Sequence, residues 1–307
     1  MSKIIAVVTS FAESHLLRCI IPNIVNTLNP DKIIISEGRM KHGPENKGFY
    51  DESVFNARWT YKGEGAVGFD WEETKLLEQE YPNLVEVRAM DYDPRWSATE
   101  CYVQSITYPS FEIGDTVYCF ESDSFLYEDD KIIVEQEVSR LKIGEGLAVK
   151  YVDFLETQYY TECVNLGNPK YRRLCYKFDN LENYQKKMGG GYVTQNYHLL
   201  KKTDEFFVRH YCWWRPEEYK QLRYDLIYRK DPQYWKDFEN GLQKVRKNST
   251  TIALMEKKNI EIGGYCRDSV LFNKVLLRPS RSDEARWAQF IDVEHPEAIK
   301  SHPNFVR

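Results

Sequence analysis

Glu121 and Asp123 stand two residues apart in Val117-Tyr118-Cys119-Phe120-Glu121-Ser122-Asp123-Ser124-Phe125-Leu126, where an apolar run meets two carboxylates and apolar residues resume at once. In a strand, alternate side chains share a face, so this spacing predicts both carboxylates on one edge. Two hard oxygen ligands so placed can hold Mg²⁺ or Mn²⁺ and leave positions open for a phosphate. The competing reading is a pair of solvated carboxylates at a turn, where Asp is common. His210, in Phe207-Val208-Arg209-His210-Tyr211-Cys212-Trp213-Trp214, is a candidate third ligand, because imidazole suits Mn²⁺; a satisfied core histidine is the alternative.

Other residues could work beside that pair. Asp91 and Asp93 form a rival pair, with Pro94, Arg95 and Trp96 suggesting a packed turn; either carboxylate could hydrogen-bond a ribose or base. Thr9-Ser10-Phe11-Ala12-Glu13 contains Ser-x-x-Glu ahead of a helical pattern, which reads as a capping box. A helix N-terminus is also an anion site, so the same turn could face a nucleotide. Glu37 ends a β-branched run before Gly38 and could accept hydrogen bonds from a base or ribose hydroxyls. Two basic-aromatic runs follow. One is Lys170, Tyr171, Arg172, Arg173, Tyr176 and Lys177; the other joins Arg215, Tyr219, Lys220, Arg223, Tyr224, Tyr228, Arg229 and Lys230. Such runs can stack on sugars or bases, or form a solvated face over a tyrosine core. No nucleophile elbow, P-loop, Gly-x-Gly-x-x-Gly or His-Glu-x-x-His is found, and Gly189-Gly190-Gly191 lacks the Lys-Ser/Thr of a phosphate loop.

The elements that must position these groups alternate between strand and helix. Strands are expected at Lys3–Thr9, Lys32–Ser36, Leu84–Met90, Val117–Phe120, Leu147–Leu155 and Phe206–Trp214. Helices are expected at Ser10–Leu28 with an interruption at Pro22, at Trp71–Glu80, Ser97–Pro109 and Asp130–Leu141, and over 216–247; 38–69 reads as a long loop. This alternation implies an α/β fold with a mostly parallel sheet and helices on both faces. Ligands in such sheets bind at the carboxyl ends of the strands, so Ser10, Glu37, Asp91 and Glu121 should share one rim.

Composition bounds the rest. The chain has 307 residues, 42% of them hydrophobic and 14% aromatic, enough for a real core. No apolar run approaches the roughly 20 residues of a membrane span. The N-terminus reads as a core strand rather than a signal peptide. Seven scattered cysteines without Cys-x-x-Cys argue against a disulfide framework or structural zinc, so a reducing cytoplasm is expected. Net charge is −5, divided as −10 over residues 1–199 and +5 over 200–307, an asymmetry that suits an anionic partner or simply a solvated surface.

Taken together, Thr9-Ser10 at the end of the first strand, Glu37 at the end of the second, Glu121-Ser122-Asp123, and His210 with Trp213-Trp214 resemble the GT-A fold glycosyltransferases, especially the family 2-like group. Ser36-Glu37-Gly38 through Gly43-Pro44-Glu45, and the His295-Pro296 tail, are similar to bacteriophage and giant-virus members. The likeness covers about residues 1–130. It departs from the family where the metal motif starts with Glu, and where the second half lacks a clear Glu-Asp pair. The resemblance implies a GT-A-like (Rossmann-like) catalytic domain over 1–215 and a helical, aromatic, acceptor-binding extension over 216–307. It further implies a nucleotide-sugar donor, a UDP-sugar first, held through Mn²⁺ or Mg²⁺ on Asp123, Glu121 and His210. Thr9, Ser10, Glu13, Glu37 and Arg95 are then expected on the donor, and Asp153 or Glu156 as base if the reaction inverts. The expected acceptor is a hydroxyl, with a hydroxymethylated pyrimidine of phage DNA first and a glycan or protein as the alternative. A nucleotidyltransferase and a non-enzymatic carbohydrate- or DNA-binding protein are the competing classes.

Overall fold

The computed structural model describes residues 2–10, 13–41, 60–62, 65–67, 70–92, 111–154, 160–162, 170–188, 199–211, 214, 288–290, 293–303 and 305. Glu156, Arg95, Asp93, Trp213, the Gly189–Gly191 run, the expected helices at 97–109 and 216–247, and the second basic-aromatic run lie outside these residues, as does the side chain of Asp91.

The first strand, β1 (Ile4–Ser10), is apolar on both sides because it sits in the sheet's interior, with Val7 and Val8 fully buried. It pairs in parallel with β2 (Lys32–Lys41) and with β6 (Thr116–Glu121). β2 also pairs in parallel with β5 (Val85–Tyr92). A short antiparallel hairpin, β3 (Thr60–Lys62) and β4 (Gly65–Val67), extends β2 at its end. The region expected as a loop from residue 38 thus contains the end of β2 and two strands, hidden by a Gly- and Lys-rich composition that carries no alternation.

The second half of the sheet departs from a mostly parallel arrangement. β10 (Lys170–Lys177) lies between β6 and β8 (Gly146–Asp153) and runs antiparallel to both. β11 (Lys201–His210) returns parallel to β8, and the two-residue β7 (Ser124–Phe125) pairs antiparallel to β11. Four of the nine ladders described in this sheet are parallel, so it is mixed. The strand order is β3-β4-β2-β1-β6-β10-β8-β11-β7, with β5 on β2. Only Ser122 and Asp123 connect β6 in the middle of this order to β7 at its far end, so the sheet curls on itself. A separate ladder joins β9 (Tyr160–Glu162) to β12 (Ala288–Phe290). The arrangement is compatible with a GT-A-like, Rossmann-like fold.

Helices cover both faces, as the alternation predicts. On one face, Ala6, Val8, Tyr118 and Phe120 meet Leu16, Leu17 and Ile20 of α1 (Ser14–Leu28), Leu77 of α2 (Trp71–Glu80) and Val134 of α3 (Lys131–Ser139). On the other, Val7, Val117 and Cys119 meet Tyr184 and Met188 of α4 (Leu181–Met188). The period-two division of β1 and β6 between the two cores is what alternating side chains require. Helix α1 continues through Pro22 and ends at Asn29 in the left-handed conformation, φ 46°. The C-terminal segment, with a 3-10 turn at Glu297–Ser301, packs on the α1 side through Ile299. No described helix is long and apolar enough to cross a membrane.

Candidate metal centre

The parallel register of β1, β2 and β6 brings Ser10 level with Glu37 and Thr9 level with Glu121. At that same rim β8 ends in Asp153 and β11 in His210, which are register partners. The sequence expectation for the carboxylate pair needs correcting in one respect. β6 stops at Glu121, and Asp123 belongs to the turn rather than to the same strand edge. The turn is nonetheless fixed, because Ser122 N–H donates to the Thr9 carbonyl at 2.9 Å and Tyr211 N–H donates to the Asp123 carbonyl at 2.8 Å. With Ser124 in register with His210, Asp123 lies directly beside the imidazole.

The result is a compact group. His210 Nε2 is 3.0 Å from Glu121 Oε2 and 3.0 Å from Asp123 Oδ1, and its Nδ1 is 2.6 Å from Asp153 Oδ1. Ligand atoms of Glu121, Asp123 and His210 all lie within 4.8 Å of one another. Asp123, Asp153 and His210 are buried and Glu121 is partly exposed, giving the group one open side.

The imidazole decides what this arrangement can hold. A carboxylate only accepts, so at 2.6 Å Nδ1 must carry the proton given to Asp153. Nε2 then presents a lone pair to two carboxylate oxygens unless a cation stands between them, and that cation is either a second proton or a metal. Metal-binding histidines commonly give their other N–H to a carboxylate, as His210 does to Asp153. Glu121, Asp123 and His210 therefore fit a divalent cation with mixed oxygen and nitrogen ligands.

Arg172, a member of the first basic-aromatic run, completes the centre. Its guanidinium nitrogens lie 3.2 Å from Glu121 Oε2 and 3.5 Å from Asp153 Oδ1, and its plane rests over the Tyr151 ring at 4.8 Å. Burial pushes the Glu121 carboxyl up, but the Arg172 guanidinium, joined by His210 when its imidazole is protonated, outweighs it and holds Glu121 below the usual carboxylate range. Three carboxylates against one guanidinium leave two negative charges around a neutral imidazole. A divalent ion cancels that charge, which a largely buried group otherwise bears at considerable cost. Arg172 reaches this face because β10 bulges. Arg172 pairs with Val149 and Cys175 with Leu147, so Leu174 is the extra residue that shifts the phase. The only sequence signal for Arg172 was its membership of the basic-aromatic run.

Of the remaining expected residues, Thr9, Ser10, Glu13 and Glu37 are described, and all four are buried at the same rim. Thr9 Oγ1 donates to the Phe120 carbonyl at 3.3 Å. Ser10 is buried and Glu37 fully so. The capping box does not form. Glu13 is itself the residue before the first helical turn, with no side-chain cap, and its carboxylate accepts from Ser122 Oγ between the two metal-ligand candidates. Capping of α1 comes instead from 56 residues away, where Ser14 N–H donates to Asp70 Oδ2 at 2.6 Å. Ser14 Oγ donates to Glu73 at 3.1 Å. A tertiary contact thus supplies the cap that the Ser-x-x-Glu spacing predicts locally. Cys19, Cys119 and Cys175 are buried free thiols.

No protein-family model matches the chain, and no curated protein matches it. Among solved structures, it is similar to mannose-6-phosphate isomerase from Helicobacter pylori, at 10% identity and a TM-score of 0.30 over 61% of this chain and 66% of that one. It is also similar to S. aureus TarS, at 8% identity and a TM-score of 0.38 over 72% of this chain and 38% of that one. The chain spans less than two thirds of either structure. Likenesses at this level carry no argument about activity.

Proposed function

We propose that the protein is a metal-dependent glycosyltransferase that moves a sugar from a nucleotide-sugar donor, a UDP-sugar first, to a hydroxyl acceptor. The observation that carries this reading is His210, set between Asp153 on one nitrogen and both Glu121 and Asp123 on the other, at the carboxyl ends of the sheet's parallel strands. Such a rim is where α/β folds bind nucleotides. Mn²⁺ or Mg²⁺ held by Glu121, Asp123 and His210 supplies Lewis-acid neutralisation of a diphosphate leaving group.

The chain's own residues have separable tasks. Asp153 holds the Nδ1 proton and fixes the imidazole plane. Arg172, stacked on Tyr151, keeps Glu121 ionised and brings a second positive group to the donor's phosphates. Glu13, through Ser122, holds the turn between the two carboxylates. Ser10 and Glu37 form the donor side of the rim, and Thr9 ties β1 to β6 there. With Asp153 committed to His210 and Arg172, the acceptor proton in an inverting reaction passes to another group. Glu156 is the sequence's candidate.

Asp123→Asn keeps the side-chain volume and removes the ligand charge. The expected outcome is a folded protein by circular dichroism with no Mn²⁺-dependent release of nucleotide from UDP-sugars. Unchanged turnover in that variant rules the reading out. For the acceptor, the +5 balance of residues 200–307 suits an anionic partner, and our first candidate is DNA carrying a hydroxymethylated pyrimidine, whose base would be extruded from the duplex. Gel shifts over a salt series, with modified and unmodified duplexes, should then show binding that weakens as salt rises. Binding that is absent or indifferent to salt points to a glycan or protein acceptor.

A further inference from the structure

The residues that follow the two site strands carry a separate observation. Phe154 follows Asp153, Tyr211 follows His210, and the two rings stack at 5.1 Å, both fully buried. Their backbones are tied to the centre: Phe154 N–H donates to the His210 carbonyl at 2.7 Å, and Tyr211 N–H donates to the Asp123 carbonyl at 2.8 Å. A displacement of either ring moves chain that carries a candidate ligand.

What fixes the rings comes from the far end of the chain. His295 Nδ1 lies 2.7 Å from the Tyr211 hydroxyl oxygen, and its ring meets Phe154 edge-on at 4.8 Å. His295 is buried, and Phe305 packs beside it at 5.8 Å. Arg209, next to His210, donates from Nε to the Glu294 carbonyl at 2.7 Å and pairs with Asp130 at 3.3 Å. Ile299 anchors the same segment in the core under α1. Apolar packing alone could be met by phenylalanine at both positions. A buried hydroxyl facing a buried imidazole at hydrogen-bond distance sets direction as well as separation.

We infer that residues 293–303, with Phe305, form a strap that sets the geometry of the metal centre, with His295 as its positioning residue, acting through Tyr211 and Phe154 on His210 and Asp153. The inference rests on reading Glu121, Asp123 and His210 as a divalent-metal site. It makes this segment part of the site's support, with His295 acting through the Tyr211 hydroxyl and the Phe154 ring.

Mn²⁺ titration of the full chain, followed by loss of the free-ion EPR signal, separates strap from site. Tyr211→Phe keeps the ring and removes only the hydroxyl; its Kd is expected to rise about tenfold, the scale of lost outer-sphere support. His295→Ala should do the same or more, while His295→Gln, which keeps a hydrogen-bonding group, should recover to within about threefold of the parent. Leu77→Ala, a core truncation in α2, should lower thermal stability without moving Kd. Parental Mn²⁺ affinity in folded Tyr211→Phe and His295→Ala overturns the strap. So does an equal rise in Leu77→Ala, because the effect then follows general stability. A parent chain that binds no Mn²⁺ at all overturns the metal site itself, and this inference with it.

Discussion

At the scale of single residues, the tautomer of His210 governs the centre. Asp153 accepts a hydrogen bond from Nδ1–H at 2.6 Å, which turns the Nε2 lone pair toward Glu121 and Asp123. Asp153→Asn keeps the shape but can donate as well as accept, so the imidazole loses its fixed tautomer. Mn²⁺ affinity is expected to fall by about 10–100-fold, as when an outer partner of a ligating histidine is lost. Isothermal titration calorimetry on the folded variant checks this, and an unaltered Kd would show that Asp153 has no hold on the ligand. His210, Glu121 and Asp123 could be picked from the sequence by chemical type. Arg172 could not, because nothing in the order of residues distinguishes it from Arg173 beside it, yet it is Arg172 that pairs with Glu121 and Asp153.

At the scale of elements, strand phase makes that distinction. Simple alternation from Cys175 would send Arg172 to the face opposite Leu147; the bulge at Leu174 returns it to the face of Val149 and Tyr151. Inserting one residue between Arg172 and Arg173 reverses the phase of the strand before it, so Arg172 should turn away and Mn²⁺ binding should weaken. Leu174→Ala, which leaves the phase as it is, should lower stability by about 2–4 kcal/mol. Urea unfolding measures the second effect and metal titration the first. Retained full affinity would mean that the guanidinium's side of the sheet is irrelevant. β10 also explains why the sheet is mixed. Its Lys-Tyr-Arg-Arg pattern has polar residues at both phases and few strand signals, so the strand that separates β6 from β8 stayed hidden while the apolar β1 and β6 stood out.

At the scale of the whole molecule, residues nearly 300 positions apart meet. His302 is buried against α1, its ring 5.5 Å from His15 and 5.6 Å from Trp214. Burial, reinforced by His15, pushes the His302 pKa down to about 4. The unfolded chain, with His near 6.5, binds more protons between pH 6.5 and 4, so this contribution is complete above pH 6.5 and is lost as pH falls toward 4. Moving from pH 7 to pH 4.5 should cost about 2 kcal/mol through this group. His302→Gln should show a correspondingly flatter dependence of Tm on pH over that window. Identical slopes in variant and parent would remove the effect. The packing of Ile299, His295 and His302 onto the first core also means that the range 216–307, read from sequence as an extension, supplies side chains to the core built on β1 and α1.

The order of residues by itself determined the alternation of apolar side chains in β1 and β6, the helical face of α1, and the meeting of two carboxylates with the end of a buried strand. These are local properties, because which side of a strand or helix a residue occupies follows from its spacing to near neighbours. Tertiary structure alone decided that His210 sits between Asp153 and the Glu121–Asp123 turn, that Glu13 serves Ser122 rather than its own helix, and that His295 stands behind Tyr211. Each of those contacts joins residues 57 or more positions apart. Their formation depends on strand order, register and one bulge. Those are settled when the whole sheet curls and buries its two faces, not by any short stretch of chain.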